Sequence, residues 1–243
     1  MHPNEVSSAI FDKERLSRSG GIGGAIAHEI AKKKVKVINV DVFAPKTSPH
    51  ENKFFYALDI TSSSEIAKVA AQICKEHGEP TVLINNAGIG IAKPTLEVTE
   101  DRLRKLFDAN IIAHFLLLQE FLPAMIRSNH GHVVTIGSLA SFSTQASNVD
   151  YAATKAGELK FQYKAPKVRT IVVHPSWIRT RMVQELIDSG KMSMIVEQLY
   201  STYGSQVVIP RSLWWVSAIR GFPSWLQENM RESVSKQLLE ANS

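Results

Sequence analysis

Short apolar runs alternate along the chain with longer segments of helical periodicity. The clearest runs are Val35–Val40, Val82–Ile84 and His132–Ile136, and each one ends in small or polar residues. Strands that alternate with helices are typical of a parallel sheet covered by helices on both faces. We therefore predict an α/β fold with a doubly wound parallel sheet, built as a single domain over residues 1–243.

A glycine cluster, Gly20 to Gly24, opens a helical segment whose apolar positions recur at helical spacing. Glycines let the backbone approach a pyrophosphate, and the amides and dipole of a helix start stabilise its charge. Asp41 follows Gly23 by 18 residues, near the roughly 20-residue offset of a carboxylate that accepts from a ribose hydroxyl. The glycine turn, helix, strand and Asp41, in this order, predict a Rossmann-type sheet. Because Asp41 would repel a 2′-phosphate, we predict that NAD is preferred over NADP.

Tyr151 and Lys155 lie four residues apart, which places a phenol and an ammonium on one face of a helix. An adjacent ammonium favours the phenolate and so makes a phenol a better acid–base catalyst near neutrality. Such a pair also occurs by chance on surface helices. Ser138 strengthens the catalytic interpretation, because its hydroxyl follows the strand His132–Ile136 at the edge where parallel sheets bind ligands.

These motifs together resemble the classical short-chain dehydrogenase/reductase family over roughly Ser17 to Pro210. The resemblance rests on Gly21-Ile22-Gly23, Asp59-Ile60, Asn85-Asn86-Ala87-Gly88, Asn110, Ser138, Tyr151 with Lys155, and Pro175 through Thr180. Around Val168-Arg169-Thr170 and Trp177-Ile178-Arg179-Thr180 the chain is most similar to the retinol and 17β-hydroxysteroid dehydrogenase-like branch. The resemblance implies an NAD(P)-dependent oxidoreductase that interconverts an alcohol and a carbonyl on a steroid-, retinoid- or lipid-like substrate, and a homodimer or homotetramer.

The resemblance also implies a role for each catalytic residue. Tyr151 would exchange a proton with the substrate oxygen, and Ser138 would donate a hydrogen bond to that oxygen. Lys155 would lower the pKa of the Tyr151 phenol and hold the nicotinamide ribose. Asn110 would distort its helix and position a water that links Lys155 to solvent, although a polar residue on a helix surface is the alternative.

The cofactor-binding residues that the resemblance implies come from several strand ends. Asp59 would accept from the adenine amino group. The alternative is a carboxylate at the start of the helix that follows it, and both roles could hold at once. Thr180 would contact the nicotinamide carboxamide. The full set is Gly21, Ile22, Gly23, Asp41, Asp59, Ile60, Asn86, Ala87, Gly88, Tyr151, Lys155, Pro175, Ile178 and Thr180. We predict no metal site.

Three segments depart from the family pattern. The first strand would fall on Ile10–Leu16, where four consecutive charged residues cannot enter a central parallel strand, so we expect it to be defective. Pro166 should end the Tyr151 helix after about 14 to 15 residues, and the substrate lid between Thr180 and Gln206 is short. The alternative function is therefore a catalytically silent or truncated relative that retains the dimerisation surface.

Composition adds little to this picture. The net charge of +5 comes from scattered Lys and Arg and does not indicate nucleic acid binding, and Cys74 is the single cysteine. We find no signal peptide and no apolar run of the roughly 20 residues that a membrane span needs. Residues 1–16 form an atypical N-terminal segment, and residues 211–243 form an amphipathic tail. Its aromatic stretch Leu213–Leu226 suits a peripheral contact with endoplasmic reticulum or a lipid droplet, and the alternative is that it packs against a subunit or the sheet edge. We predict a cytoplasmic protein.

Overall fold

One parallel sheet organises the structure, a computed structural model that describes residues 7–11, 21–44, 51–90, 95–142, 149–156, 167–175 and 206–209. Within these residues the sheet has seven strands in the order β3-β2-β1-β4-β5-β6-β7. The strands are β1 (Ser7–Phe11), β2 (Lys36–Asp41), β3 (Lys53–Ala57), β4 (Val82–Asn85), β5 (Gly131–Ile136), β6 (Val168–Pro175) and β7 (Gln206–Ile209). The predicted doubly wound α/β fold is confirmed.

Helices connect the strands. They are α1 (Gly21–Lys32), α2 (Ser63–His77), α3 (Glu100–Phe107), α4 (Ala113–Ser128) and α5 (Val149–Lys155), with short 3-10 turns at Thr95–Glu97 and Leu139–Ser141. Ser62 caps α2, because its hydroxyl accepts from the Glu65 N–H. The helix α1 begins in the glycine cluster, as the sequence predicts.

The prediction for the first strand is wrong. The strand β1 is present at Ser7–Phe11 and pairs in parallel with β2 on one side and with β4 on the other. It ends before Asp12, so none of the four charged residues belongs to the strand, and those residues lie outside the described part of the chain. Burying four charged residues in a central strand would still be costly. The strand avoids this cost because it lies nearer the N-terminus, at Ser7–Phe11.

Alternate residues of the central strands supply two apolar cores, one on each face of the sheet. In β4, Val82 and Ile84 pack on the side of α1, whereas Leu83 packs on the side of α2 and α4. Both faces are thus covered, as a parallel sheet requires. Cys74 packs at the border of the second core, where burial and the neighbouring Glu79 raise the pKa of its thiol to about 11.

A π turn, Asp108–Ile112, joins α3 to α4 into a continuous helical stretch over Glu100–Ser128. By length and composition alone this stretch could cross a membrane. However, 56% of its apolar window is buried inside the protein, and its residues Leu117 and Phe121 belong to the second core. Packing against the sheet therefore accounts for its apolar composition.

Several sequence predictions lie outside the described residues. Among the cofactor residues these are Ile178 and Thr180; the others are the end of the Tyr151 helix before Pro166, the lid segment and the aromatic tail. The described part of the Tyr151 helix is α5, which is seven residues long.

Candidate active site at the carboxyl edge of the sheet

The candidate site residues follow the carboxyl ends of neighbouring strands. Asp41 ends β2, Asn86 follows β4, Ser138 follows β5 and Pro175 ends β6. The strand order reverses between β1 and β4, and the crevice at such a switch point is where open α/β sheets bind ligands. The topology therefore brings residues that are far apart in sequence to one edge.

Asn110 ties three of these segments together from the π turn. The Ile89 N–H donates to Asn110 Oδ1 (2.8 Å), and Asn110 Nδ2 donates to the Ile89 carbonyl (3.0 Å) and to Thr154 Oγ1 (2.9 Å). The Thr154 hydroxyl in turn donates to the Tyr151 carbonyl at 2.8 Å. Asn110 is buried and lies in a distorted helix, so the implied distortion is present and its side chain clamps the loop after β4 to α5.

Lys155 and Tyr151 lie against that loop. The Lys155 ammonium is buried and donates to the Ile136 carbonyl (2.9 Å), and its Nζ lies 5.8 Å from the centre of the Tyr151 ring. A Cβ added at Gly88 would lie 3.0 Å from Lys155 Nζ, a tight contact that the ammonium would have to relieve by shifting. Glycine at this position is what lets the ammonium approach the loop backbone.

Ser138 begins the 3-10 turn Leu139–Ser141 in an extended conformation. Its Oγ accepts from the Ala140 N–H at 3.2 Å. Because that N–H occupies an acceptor position of the hydroxyl oxygen, the hydroxyl hydrogen remains for donation elsewhere. The turn packs against α5, so Ser138 belongs to the same assembly as Tyr151 and Lys155.

The structure also describes several of the residues that the sequence predicts to bind the nucleotide. Asp41 Oδ1 accepts from the Phe43 N–H (3.2 Å) at the end of β2. Asp59 Oδ1 accepts from both the N–H and the hydroxyl of Thr61 (3.0 and 2.8 Å), which fits the alternative that Asp59 organises the entry to α2. Gly23 and Ile60 are buried, and Ile22 packs against the core on the α1 side.

His114 is a site residue that the sequence interpretation missed. It is buried one helical turn after Asn110, and its Nε2 lies 3.0 Å from the Ala87 carbonyl oxygen. A carbonyl only accepts, so Nε2 carries a hydrogen. Burial, and secondarily the Lys155 charge, lower the pKa of His114 to about 3. The signal in the sequence was its spacing of four from Asn110, which places both side chains on one helix face.

Because the pKa of His114 is lowered from 6.5 in the folded protein, unfolding takes up a proton below pH 6.5, and stability falls as the pH falls. We expect the unfolding free energy to lose about 1.4 kcal/mol per pH unit from this residue between pH 6.5 and its folded pKa of about 3. Urea unfolding at pH 7 and pH 5 measures the slope. His114→Gln retains a donor for the Ala87 carbonyl and should reduce the pH dependence of the unfolding free energy by the contribution of one proton. His28 is exposed, so His28→Gln should leave this pH dependence unchanged. An unchanged slope in His114→Gln would contradict this assignment.

Comparison with known proteins agrees with this geometry. The family model described as short chain dehydrogenase matches residues 17–190. Dehydrogenase RED2 of Cochliobolus heterostrophus is 40% identical over 167 residues, which cover 64% of this chain and 63% of that protein. Epidermal retinol dehydrogenase 2 of Mus musculus is 38% identical over 138 residues, which cover 53% and 45%. The chain thus spans about half to two thirds of the length of these two relatives.

Solved structures share the fold. A short chain dehydrogenase from Leptospira borgpetersenii with bound NAD+ has a TM-score of 0.70 at 23% identity, covering 85% of this chain and 91% of its own. A metagenomic short-chain oxidoreductase in complex with NADP has a TM-score of 0.68 at 26% identity, covering 85% and 97%. The match of the family model over most of the chain, together with the residues assembled at the sheet edge, shows that this chain belongs to the short-chain dehydrogenase family.

Proposed function

We propose that the protein is an NAD-dependent oxidoreductase that interconverts a secondary or allylic alcohol and its carbonyl on an apolar substrate. The observation that carries the proposal is that Asn110 holds the helix of Tyr151 and Lys155 to the loop after β4, by hydrogen bonds between segments 21 and 44 residues apart in sequence. Lys155 Nζ also donates to the Ile136 carbonyl, on the strand that leads to Ser138. Held groups act at lower entropic cost than mobile ones. A merely structural explanation does not require phenol, ammonium and hydroxyl at one sheet edge.

The chain's own residues would supply the proton chemistry. During oxidation Tyr151 takes the proton of the substrate hydroxyl, and during reduction it returns that proton to the carbonyl oxygen. Ser138 donates its hydroxyl hydrogen to the same oxygen, which stabilises the charge that develops there. A nicotinamide bound at this edge would supply the hydride chemistry at the carbon that bears that oxygen.

The strand ends also fit a dinucleotide. The glycine start of α1 would approach the pyrophosphate, the Asp41 carboxylate at the end of β2 would accept from the adenosine ribose, and Lys155 would hold the nicotinamide ribose. Asn86, Ala87 and Gly88 would line the crevice between these contacts. Asp59 and Ile60 would flank the adenine, and Pro175, Ile178 and Thr180 would border the nicotinamide. Related structures contain NAD+ or NADP, and the choice of NAD rests on Asp41.

Asp41 therefore makes a direct prediction about cofactor choice. We expect NADH to bind at least about tenfold more tightly than NADPH. With NADPH the Asp41 carboxylate repels the 2′-phosphate and loses the ribose hydroxyl from which it accepts in NADH. Protein fluorescence titrations at moderate salt measure both affinities. Asp41→Ser should narrow the gap mainly by improving NADPH binding. Comparable affinities in the unaltered protein would contradict the assignment.

The apolar substrate class rests on the relatives. One relative is named for retinol, and another, Estradiol 17-beta-dehydrogenase 11 of Macaca fascicularis, is named for a steroid. Retinol and estradiol with NAD+ are therefore suitable first probes, and formation of NADH is the readout. The aromatic tail segment Leu213–Leu226 would bring the enzyme to a lipid surface where such substrates collect.

An apolar stripe on the helix pair α3 and α4 supports self-association. Its residues are Leu103, Phe107, Ile112 and Phe115, which are 37% to 50% exposed. They are spaced by four, five and three residues, and the step of five crosses the π turn, whose extra residue keeps them on one face. We propose that a second copy of this chain covers the stripe in a two-fold symmetric dimer. The alternative function, a catalytically silent or truncated relative, would retain the same surface. It loses the support of a defective first strand, whereas the short helix end and the lid lie outside the described residues.

The stripe makes a prediction about oligomeric state. Ile112→Glu combined with Phe115→Glu should convert the dimer to a monomer, because two like charges on each copy would be buried in the interface without partners. Sedimentation velocity at micromolar concentration measures the result. Phe43→Glu is the matched control, since Phe43 is 69% exposed and lies off the stripe. A double variant that stays dimeric would place the interface elsewhere.

A further inference from the structure

A buried histidine lies beneath the turn that carries Ser138. His174 is on β6 and is fully buried, and its ring centre is 4.6 Å from that of Phe142. A Cβ added at Gly137 would come within 3.0 Å of His174 Nδ1. The glycine before Ser138 thus leaves the space that lets this ring approach the turn.

The hydrogen bonds around the ring determine where its hydrogen is. The Ser141 hydroxyl donates to the Ser138 carbonyl at 2.6 Å, and His174 Nδ1 lies 3.2 Å from Ser141 Oγ and 3.3 Å from the Ser138 carbonyl. The Ser141 hydrogen is already directed to the carbonyl, and a carbonyl can only accept. Both contacts of Nδ1 therefore need a hydrogen on Nδ1. His174 donates to Ser141 Oγ and to the Ser138 carbonyl at once.

We propose that His174 and Ser141 are positioning residues for Ser138, an inference that rests on the proposed role of Ser138 in alcohol oxidation. The Ser138 carbonyl accepts from the Ser141 N–H at 3.0 Å, and the two side-chain donors Ser141 Oγ and His174 Nδ1 add to this bond, which fixes the backbone of the turn. With the turn fixed, the Ala140 N–H stays aimed at Ser138 Oγ. The Ser138 hydroxyl hydrogen is then directed toward the substrate oxygen rather than toward its own backbone.

Simple core packing does not explain this arrangement. An apolar ring would fill the same space and stack on Phe142 without the cost of burying polar groups. The directional hydrogen bonds of Nδ1 instead specify one local geometry, which apolar packing would not. Here the contact between His174 and Ser141 joins β6 to the turn across 33 residues of sequence. A residue on β6 therefore helps to fix the position of Ser138.

Hydrogen exchange on the full chain tests the positioning directly. Ser141→Ala and His174→Phe should each speed exchange of the amides of Ala140, Ser141 and Phe142 by about tenfold or more, because the turn opens locally once its anchor is removed. His174→Asn puts an amide nitrogen near the position of Nδ1 and should restore most of the protection. Strand amides of β5 and β6 provide the internal control for a retained fold. Unchanged exchange in both Ser141→Ala and His174→Phe would overturn the proposal. If His174→Phe does not fold, the result for Ser141→Ala alone decides the test.

Coupling to Ser138 separates positioning from general stability. With retinol or estradiol as the probe, Ser141→Ala should lower kcat about tenfold in the presence of Ser138 and have little effect in a Ser138→Ala background. An equal loss in both backgrounds would show that Ser141 does not act through Ser138 and would overturn the positioning role. If the unaltered protein turns over neither probe, the proposed substrate class fails, and the exchange experiment still decides whether His174 and Ser141 hold the turn.

Discussion

Tyr151→Phe should lower turnover by about 10² to 10⁴-fold while nucleotide affinity stays within about twofold, because removing the phenol hydroxyl removes the proton donor and acceptor. The ring would remain, with Lys155 Nζ 5.8 Å from its centre. Steady-state kinetics with NAD+ and an apolar alcohol, alongside an NADH titration, measure the two effects separately.

Tyr56→Phe is the matched control for that experiment. The Tyr56 hydroxyl lies on the edge strand β3, where it bonds Glu76 and approaches His77 Nε2 at 2.8 Å. Its loss should change stability and leave turnover nearly unaltered. A Tyr151→Phe protein that retains a tenth of the rate would remove Tyr151 from the mechanism.

Asn110→Ala should be among the most destabilising single substitutions at the site. It leaves the N–H and carbonyl of Ile89 and the Thr154 hydroxyl without their side-chain partner. Each buried polar group left unpaired costs about 1–3 kcal/mol, so we expect a loss of about 3 kcal/mol from a typical total of about 5–15 kcal/mol. For a chain of this size that lowers Tm by about 6–12 °C. Turnover should fall too, because the loop and α5 lose their common anchor.

Asn85→Ala provides the comparison for Asn110→Ala. Asn85 is fully buried at the end of β4, and neither polar atom of its side chain has a hydrogen-bond partner within the described residues. The two substitutions remove the same atoms, so the cavity contributions are similar and the difference reports the hydrogen bonds. Equal loss of Tm, measured by differential scanning calorimetry, would show that the Asn110 bonds contribute little.

The sheet was predictable because its strands are short apolar runs followed by small polar residues. The predicted strands before Asp41, Asn85 and Ser138 match β2, β4 and β5 within one residue. The apolar face of α2 was predictable for a similar reason, since Ile66, Ala70 and Ile73 recur at helical spacing and are buried. The spacing of apolar residues along a helix or strand indicates which of its faces packs against the core.

The first strand was misplaced because the glycine cluster was assumed to follow it directly. In the structure residues 12–20 separate β1 from α1, and no periodicity reveals the length of a connection. The hydrogen bonds of Asn110, His114 and His174 were also beyond the sequence, because each joins segments that are distant along the chain. Spacing identifies which side chains share a helix turn, whereas only the folded backbone shows which carbonyl they reach.

Titration of the full chain with NADH, followed by protein fluorescence, tests most directly whether this sheet edge is a nucleotide-dependent active site. We expect saturable binding with a Kd in the micromolar range, about −8 kcal/mol of binding free energy. Lys155→Met should weaken this binding through the loss of the nicotinamide ribose contact. The contradicting result is a protein that is folded by circular dichroism but shows no saturable binding up to about millimolar NADH, about −4 kcal/mol or weaker. This sheet edge would then not be a nucleotide-dependent active site.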